Sequence, residues 1–165
     1  MIKVQNLKKS LGGQPVLKGV NLHVEAGDIV SLVGASGSGK SVLLRNIVGL
    51  MTPDSGTVTI NGKNVHETNQ STLNDIRSSI GMLFQNGALF DSMSVFDNLA
   101  FPLREKTPKT EDEIRETVLS QLEHVGLEGS ENKFPAELSG GMQKRVALAR
   151  TLILDPDIIF FDEPT

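Results

Sequence analysis

An α/β fold with a mostly parallel core sheet is what this sequence predicts, and three observations predict it. A nearly continuous apolar run at residues 29–33 leads straight into the glycine-rich octet GASGSGKS, residues 34–41. Beyond Lys40 and Ser41, residues 42–50 carry apolar side chains at helical spacing, so strand, loop and helix follow one another as a phosphate-binding loop requires. A second apolar run, at residues 158–161, ends in the carboxylates Asp162 and Glu163, and open α/β sheets bind ligands at that end of their strands.

The elements follow in order. Ile2 and Val4, then Val20, Leu22 and Val24, alternate with polar residues, the period of a half-buried strand. Ala26, Gly27 and Asp28 form a turn. The run at 29–33 lacks alternation and reads as a strand buried on both faces. Val58, Thr59 and Ile60 are separated from Val65 by Asn61-Gly62, a dipeptide suited to a tight hairpin, which suggests a small antiparallel layer beside the main sheet.

The middle third is more helical. Thr110 with Glu113 three residues on has capping-box spacing. Ile114, Val118, Leu122 and Val125 then form one apolar stripe, and Gly126 is a stop. The acidic opposite face reads as solvated surface. A second helix should start near Ser139, Gly140 and Gly141 and run to about Leu154, with Met142, Val146, Ala149 and Ile153 inward. Asp155-Pro156-Asp157 breaks it before the second buried strand.

Composition narrows the function. With 165 residues the chain can bury a real core. Its formal net charge of -4 speaks against a nucleic-acid partner, which would call for a basic face. There is no cysteine, so disulfides and thiolate metal sites are out, as fits a reducing compartment. The N-terminus lacks the apolar run of a signal peptide, and no stretch approaches the ~20 apolar residues that span a bilayer. Work at a membrane would need a partner.

In the octet, Gly34, Gly37 and Gly39 let the backbone curl so that N–H groups face an anion, and the helix beginning near Lys40 adds its positive end. Lys40 brings a full charge to the β- and γ-phosphates, and Ser41 offers a hydroxyl to Mg²⁺. The candidate nucleotide-binding segment is therefore Gly34, Ala35, Ser36, Gly37, Ser38, Gly39, Lys40, Ser41 and Val42. Asp162 would hold Mg²⁺ through water, and Glu163 is placed to take a proton from an attacking water. Within LSGGMQ, residues 138–143, Ser139, Gly140, Gly141 and Gln143 offer a hydroxyl, amides and a carboxamide at a helix start. They form a second candidate anion site whose plainer alternative is a serine N-cap.

Together GASGSGKS, LSGGMQ and IIFFDEP, in this order, resemble the nucleotide-binding subunit of the ABC transporter family. The resemblance implies a phosphate-loop NTPase fold of ABC type that binds ATP and Mg²⁺ and hydrolyses ATP. It implies a head-to-tail homodimer in which one subunit's signature closes over the ATP of the other. It places Gln85 at the glutamine loop, touching Mg²⁺ and the attacking water, and an integral-membrane permease as partner on the cytoplasmic side of the inner membrane. The stretches 84–105 and 37–50 are similar to the ATPases that work with MCE-domain proteins, the Mla and toluene-tolerance type, which move phospholipid or other hydrophobic molecules between membranes. The alternatives are an importer of amino-acid-like solutes and a nucleotide-binding fragment without turnover.

Two departures from that family stand out. Leu11 lies where an aromatic side chain usually stacks on adenine, so selectivity for ATP over GTP is expected to be weaker. The match ends at Thr165, before the family's later dimer loop and switch histidine, so the chain reads as one incomplete domain expected to turn over little ATP alone. That domain comprises a β-rich phosphate-loop part over 1–84, a helical subdomain over 85–154 and the acidic strand over 155–165. His23, His66 and His124 match no family position and are expected at the surface. The cluster of Phe84, Phe90, Phe96 and Phe101 is expected to be mostly core, with a minority lining a groove for the partner.

Overall fold

Period-two alternation at the N-terminus folds as its spacing requires. β1 (Ile2–Leu11) and β2 (Gln14–Val24) form an antiparallel hairpin, with Ile2, Val4, Leu7 and Leu17 turned inward. β3 (Ser55–Ile60) pairs antiparallel with β1, and β4 (Lys63–Asn64) with β3, giving the order β2-β1-β3-β4. Asn61 and Gly62 connect β3 to β4 with φ of 49° and 78°, the left-handed pair that a two-residue hairpin needs. The structure is a computed structural model and describes residues 1–83 and 87–161.

The chain divides into two compact units, Met1–Arg77 and Ser78–Thr165. In the first, α1 (Lys40–Ile47) lies against β2 and β3 and buries Leu43, Leu44 and Ile47. α2 (Gln70–Ser78), which sequence periodicity did not suggest, begins at Asn69, whose side chain accepts the Thr72 N–H at 2.8 Å. Arg77 near its end donates to the carbonyls of Val48 and Gly49.

In the second unit, β5 (Ile80–Leu83) and β6 (Ile158–Phe161) form a parallel pair. α3 (Val95–Lys106), α4 (Glu111–His124) and α5 (Gly140–Leu152) enclose an apolar core. The expected stripes are in it: Ile114, Val118 and Leu122 from α4, Val146 and Ala149 from α5, and Ile153 just beyond. Val125 and Met142 pack against it, partly buried. The capping box forms as its spacing demands: Glu113 accepts the Thr110 N–H at 2.7 Å, and Thr110 accepts the Glu113 N–H. Gly126, at φ 63°, follows the end of α4.

Three expectations are corrected. Residues 29–33 form no strand, and Ile29 and Val33 are 96% and 95% exposed. Burial of a strand comes from its neighbours, and this run has no ladder partner among the described residues. β6 is a strand, yet its residues are half-buried and Phe161 is 49% exposed, because among the described residues only β5 pairs with it. His66 is half-buried: its ring donates from Nε2 to the Asn46 carbonyl at 2.9 Å, and burial holds its pKa below the usual imidazole range. His23 and His124 are at the surface as expected. The antiparallel layer, with four strands, outnumbers the parallel pair among the described residues.

The cap of α4 is a testable element. Thr110→Ala removes the acceptor for the Glu113 amide and should destabilise the second unit by about 1 kcal/mol, read from urea unfolding followed by circular dichroism.

Candidate nucleotide-binding site

The phosphate loop runs from β2's side of the first unit into α1. Gly37 and Gly39 take the left-handed conformation, with φ of 76° and 98°. Gly39 is obligatory on a second count. A Cβ there would come 2.9 Å from Val16 Cγ1 and 3.2 Å from Leu17 Cδ2, so the loop rests directly on β2. The Ser38 N–H donates to the Ala35 carbonyl at 3.1 Å, closing the turn. The Leu43 N–H donates to the Gly39 carbonyl at 2.8 Å and starts α1, which has no side-chain cap. Its positive end therefore faces the loop.

Lys40 folds back across this curl. Its ammonium donates to the carbonyls of Gly34 and Ala35 at 2.8 and 3.2 Å. Both acceptors are neutral, so phosphate oxygens, which carry charge, can replace them with stronger contacts. The loop residues Ala35, Ser36, Gly37 and Ser38 are exposed, while Lys40, Ser41 and Val42 are half-buried at the first turn. The residues predicted for the loop are thus brought together on one curl, and its shape fits an anion.

The signature lies in the second unit. Ser139 is the N-cap of α5 and accepts the Met142 N–H at 3.3 Å. Gly140 and Gly141 are exposed, and a Cβ at either would meet nothing within 4 Å. Neither has positive φ, so packing against the described residues does not require glycine at these two positions. Gln143 donates its side-chain amide to the carbonyls of Pro135 and Leu138 at 2.9 and 3.4 Å. That bond fixes the turn Pro135–Glu137 to the helix. Gln85, Asp162 and Glu163 lie outside the described residues. Among the described residues no group of acidic or histidine side chains could hold a metal by itself.

Sequence reading passed over two residues of this unit. Asn98 is fully buried in α3, and Arg150 is half-buried in α5. They bond to each other and to the loop after Gln85. An Asn or Arg inside an amphipathic helix reads as solvated face, so spacing held no signal for either. Burial lowers the pKa of Arg150, but an arginine stays charged at any ordinary pH.

A model of the family described as "ABC transporter" matches residues 17–165. The chain belongs to the ABC transporter family. Its relatives include the "probable ribonucleotide transport ATP-binding protein mkl" of Mycobacterium leprae, 50% identical over 99% of this chain and 47% of that protein. Another is the "intermembrane phospholipid transport system ATP-binding protein MlaF" of Haemophilus influenzae, 46% identical over 99% of this chain and 62% of that protein. The chain therefore spans roughly half the length of the curated relatives it matches. Among solved structures, the dimeric bacterial ABC transporter cassette MJ0796 superposes with a TM-score of 0.89 at 38% identity, over 100% of this chain and 75% of that one. A second structure of MJ0796 is a dimeric post-hydrolysis state bound to ADP and Pi, with a TM-score of 0.88 at 37% identity over the same shares. The phosphate-loop NTPase fold of ABC type expected from the sequence is thus the fold of this chain.

Lys40 is the full positive charge on the curl. Lys40→Ala should weaken ATP binding by about 2 kcal/mol or more, roughly thirtyfold, measured by titration with a fluorescent ATP analogue.

Proposed function

We propose that this chain carries the ATP-binding and ATP-hydrolysing machinery of an ABC transporter that moves phospholipid or another hydrophobic molecule between membranes. The observation that carries the ATPase reading is the pair of anion-shaped helix starts in one chain. One is the loop with its charged lysine. The other is headed by Ser139, where two exposed glycines meet no packing that needs them among the described residues. Glycine that a fold does not need is suited to a group that must come close from outside. A second copy, arranged head to tail, would bring the phosphates of its own ATP there, as symmetric pairing allows. The dimeric cassettes among the structural neighbours support that reading.

In this reading the curl and Lys40 hold the β- and γ-phosphates and bring the γ-phosphorus to a fixed place. Ser41, Gln85 and Asp162 would hold Mg²⁺, which when bound neutralises charge on the phosphates. Glu163 takes a proton from the attacking water as the water oxygen bonds to the γ-phosphorus. The bond from that phosphorus to the β–γ bridging oxygen breaks, and ADP leaves with the electron pair. Ser139, Gly140 and Gly141 of the second copy close the site against water.

Among the described residues no helix is long and apolar enough to cross a membrane. In this reading, which rests on the family resemblance, a permease holds the protein at the cytoplasmic side of the inner membrane. Phe101, 39% exposed, meets Phe90 edge to face at 5.5 Å, and this aromatic surface is the proposed seat for the permease. The MlaF relative, by its name, favours phospholipid as cargo, and the sequence resemblance to the Mla type adds an MCE-domain protein as a further partner. The Mkl relatives, by their name, supply ribonucleotide as the second reading. Transfer of labelled phospholipid between vesicles by the reconstituted complex, run beside uptake of labelled ribonucleotide, decides between them. Transfer of neither would remove both cargoes.

Two outcomes are expected. In the complete gene product, Glu163→Gln should still bind Mg-ATP while hydrolysis falls by at least ~10²-fold. The ATP-bound dimer should then accumulate on size-exclusion chromatography. Phe101→Asp places an unpaired charge in an apolar contact, which is costly, and should reduce co-purification with the permease without changing ATP affinity.

A further inference from the structure

Two consecutive residues of the second unit hold a backbone conformation that only one of them adopts freely. Gly87 and Ala88 are both left-handed, with φ of 68° and 50°, and for alanine the Cβ makes that conformation unfavourable. What holds the pair is on α5. Arg150 donates from Nη2 to both carbonyls, Gly87 and Ala88, at 2.9 Å each. Its Nη1 reaches Asn98 Oδ1 at 3.4 Å, and the guanidinium carbon stands 5.6 Å from the centre of the Phe90 ring.

Asn98 extends the same knot into α3. Its Oδ1 accepts the Phe90 N–H at 2.8 Å. Its Nδ2 donates to the carbonyls of Phe90, Met93 and Ser94 at 3.1, 3.2 and 3.0 Å. Gly87 meanwhile presses on α5, where a Cβ would come 2.9 Å from the Ala147 Cβ. A planar guanidinium presents its donors in fixed directions, whereas the donors of a lysine ammonium rotate on a flexible stem and hold no direction. The helix that holds this knot is headed by Ser139, Gly140 and Gly141. The chain it holds leaves Gln85 two residues earlier.

We propose that Arg150 is a positioning residue for ATP turnover: it clamps the left-handed Gly87 and Ala88 onto α5, so that this pair, which follows Gln85 in sequence, and the helix headed by Ser139 move as one body. The inference rests on the ATPase reading above. The phosphate loop belongs to the other unit, so loss of the clamp should act on turnover and spare nucleotide binding.

The test uses the complete gene product assembled with its permease. Arg150→Lys keeps the charge and loses the fork. It should lower kcat by about tenfold or more while KM for ATP and the affinity for a fluorescent ATP analogue stay within about twofold. Ala88→Gly placed in that background should restore kcat by roughly threefold or more, because glycine is left-handed without a Cβ cost. A role limited to general stability would not be rescued at that one backbone position. Ala88→Val strains the pair from its exposed side and should reproduce the loss of kcat, and it decides the matter alone if Arg150→Lys does not fold. Turnover within about twofold of wild type in the variants overturns the proposal, as does a kcat loss matched by an equal loss of nucleotide affinity. So does failure of Ala88→Gly to rescue. If the wild-type complex itself hydrolysed no ATP, the ATPase reading and with it the turnover role would both fall. Hydrogen exchange would then show whether the clamp exists: Arg150→Lys should speed exchange across residues 87–94, and unchanged protection there would remove the clamp too.

Discussion

A carbonyl at a chain reversal has lost its helix or ladder partner and is left to another donor. In this chain basic side chains supply that donor, each to two consecutive carbonyls. Arg77 takes Val48 and Gly49, just past α1. Arg145 takes Val125 and Gly126, just past α4. Arg150 takes Gly87 and Ala88, and Lys40 takes Gly34 and Ala35. The turns after α1 and α4, the phosphate loop and the left-handed pair Gly87 and Ala88 are all closed in this way.

Residue type separates the structural cases from the exchangeable one. The three arginines present rigid forks to acceptors that stay put. Lys40 presents a rotatable ammonium, and its acceptors are two exposed loop carbonyls that a phosphate can outcompete. Helix starts divide along the same line. Ser94, Thr110 and Ser139 cap α3, α4 and α5 with their hydroxyls. α1 has no side-chain cap and begins at left-handed Gly39. At α1 no side chain stands over the start, and at α5 the Ser139 hydroxyl is followed by two exposed glycines, so each leaves room for an anion in its own way.

What could be read from the sequence was local. Thr110 with Glu113, Asn61 with Gly62, Ser139 before two glycines and the stripes of α4 and α5 each specify their structure within a few residues, and each forms as expected. The loop was legible because its glycines, lysine and serine are contiguous. What could not be read depends on distant neighbours. The apolar run at 29–33 says that a strand there could be buried, and nothing in those residues says what covers it. The burial of Asn98 and the aim of Arg150 come from the fold of the chain after Gln85, 52 residues from Arg150 in the Asn98 contact. His66 turns inward because the Asn46 carbonyl is within reach, 20 residues away.

The contact between Gly87 and Ala147 also limits which sequences this fold can accept. The Ala147 methyl stands where a side chain at 87 would begin: a Cβ on Gly87 would come 2.9 Å from the Ala147 Cβ, closer than two carbons can pack. Enlarging 147 cannot be offset at 87, because glycine has nothing left to give up, and a side chain at 87 would need the methyl at 147 removed and would still meet the left-handed φ of 68°. Mutational drift at this spot has few neutral steps, so variants that tolerate a larger residue at 147 would have to reroute the chain around 87 first.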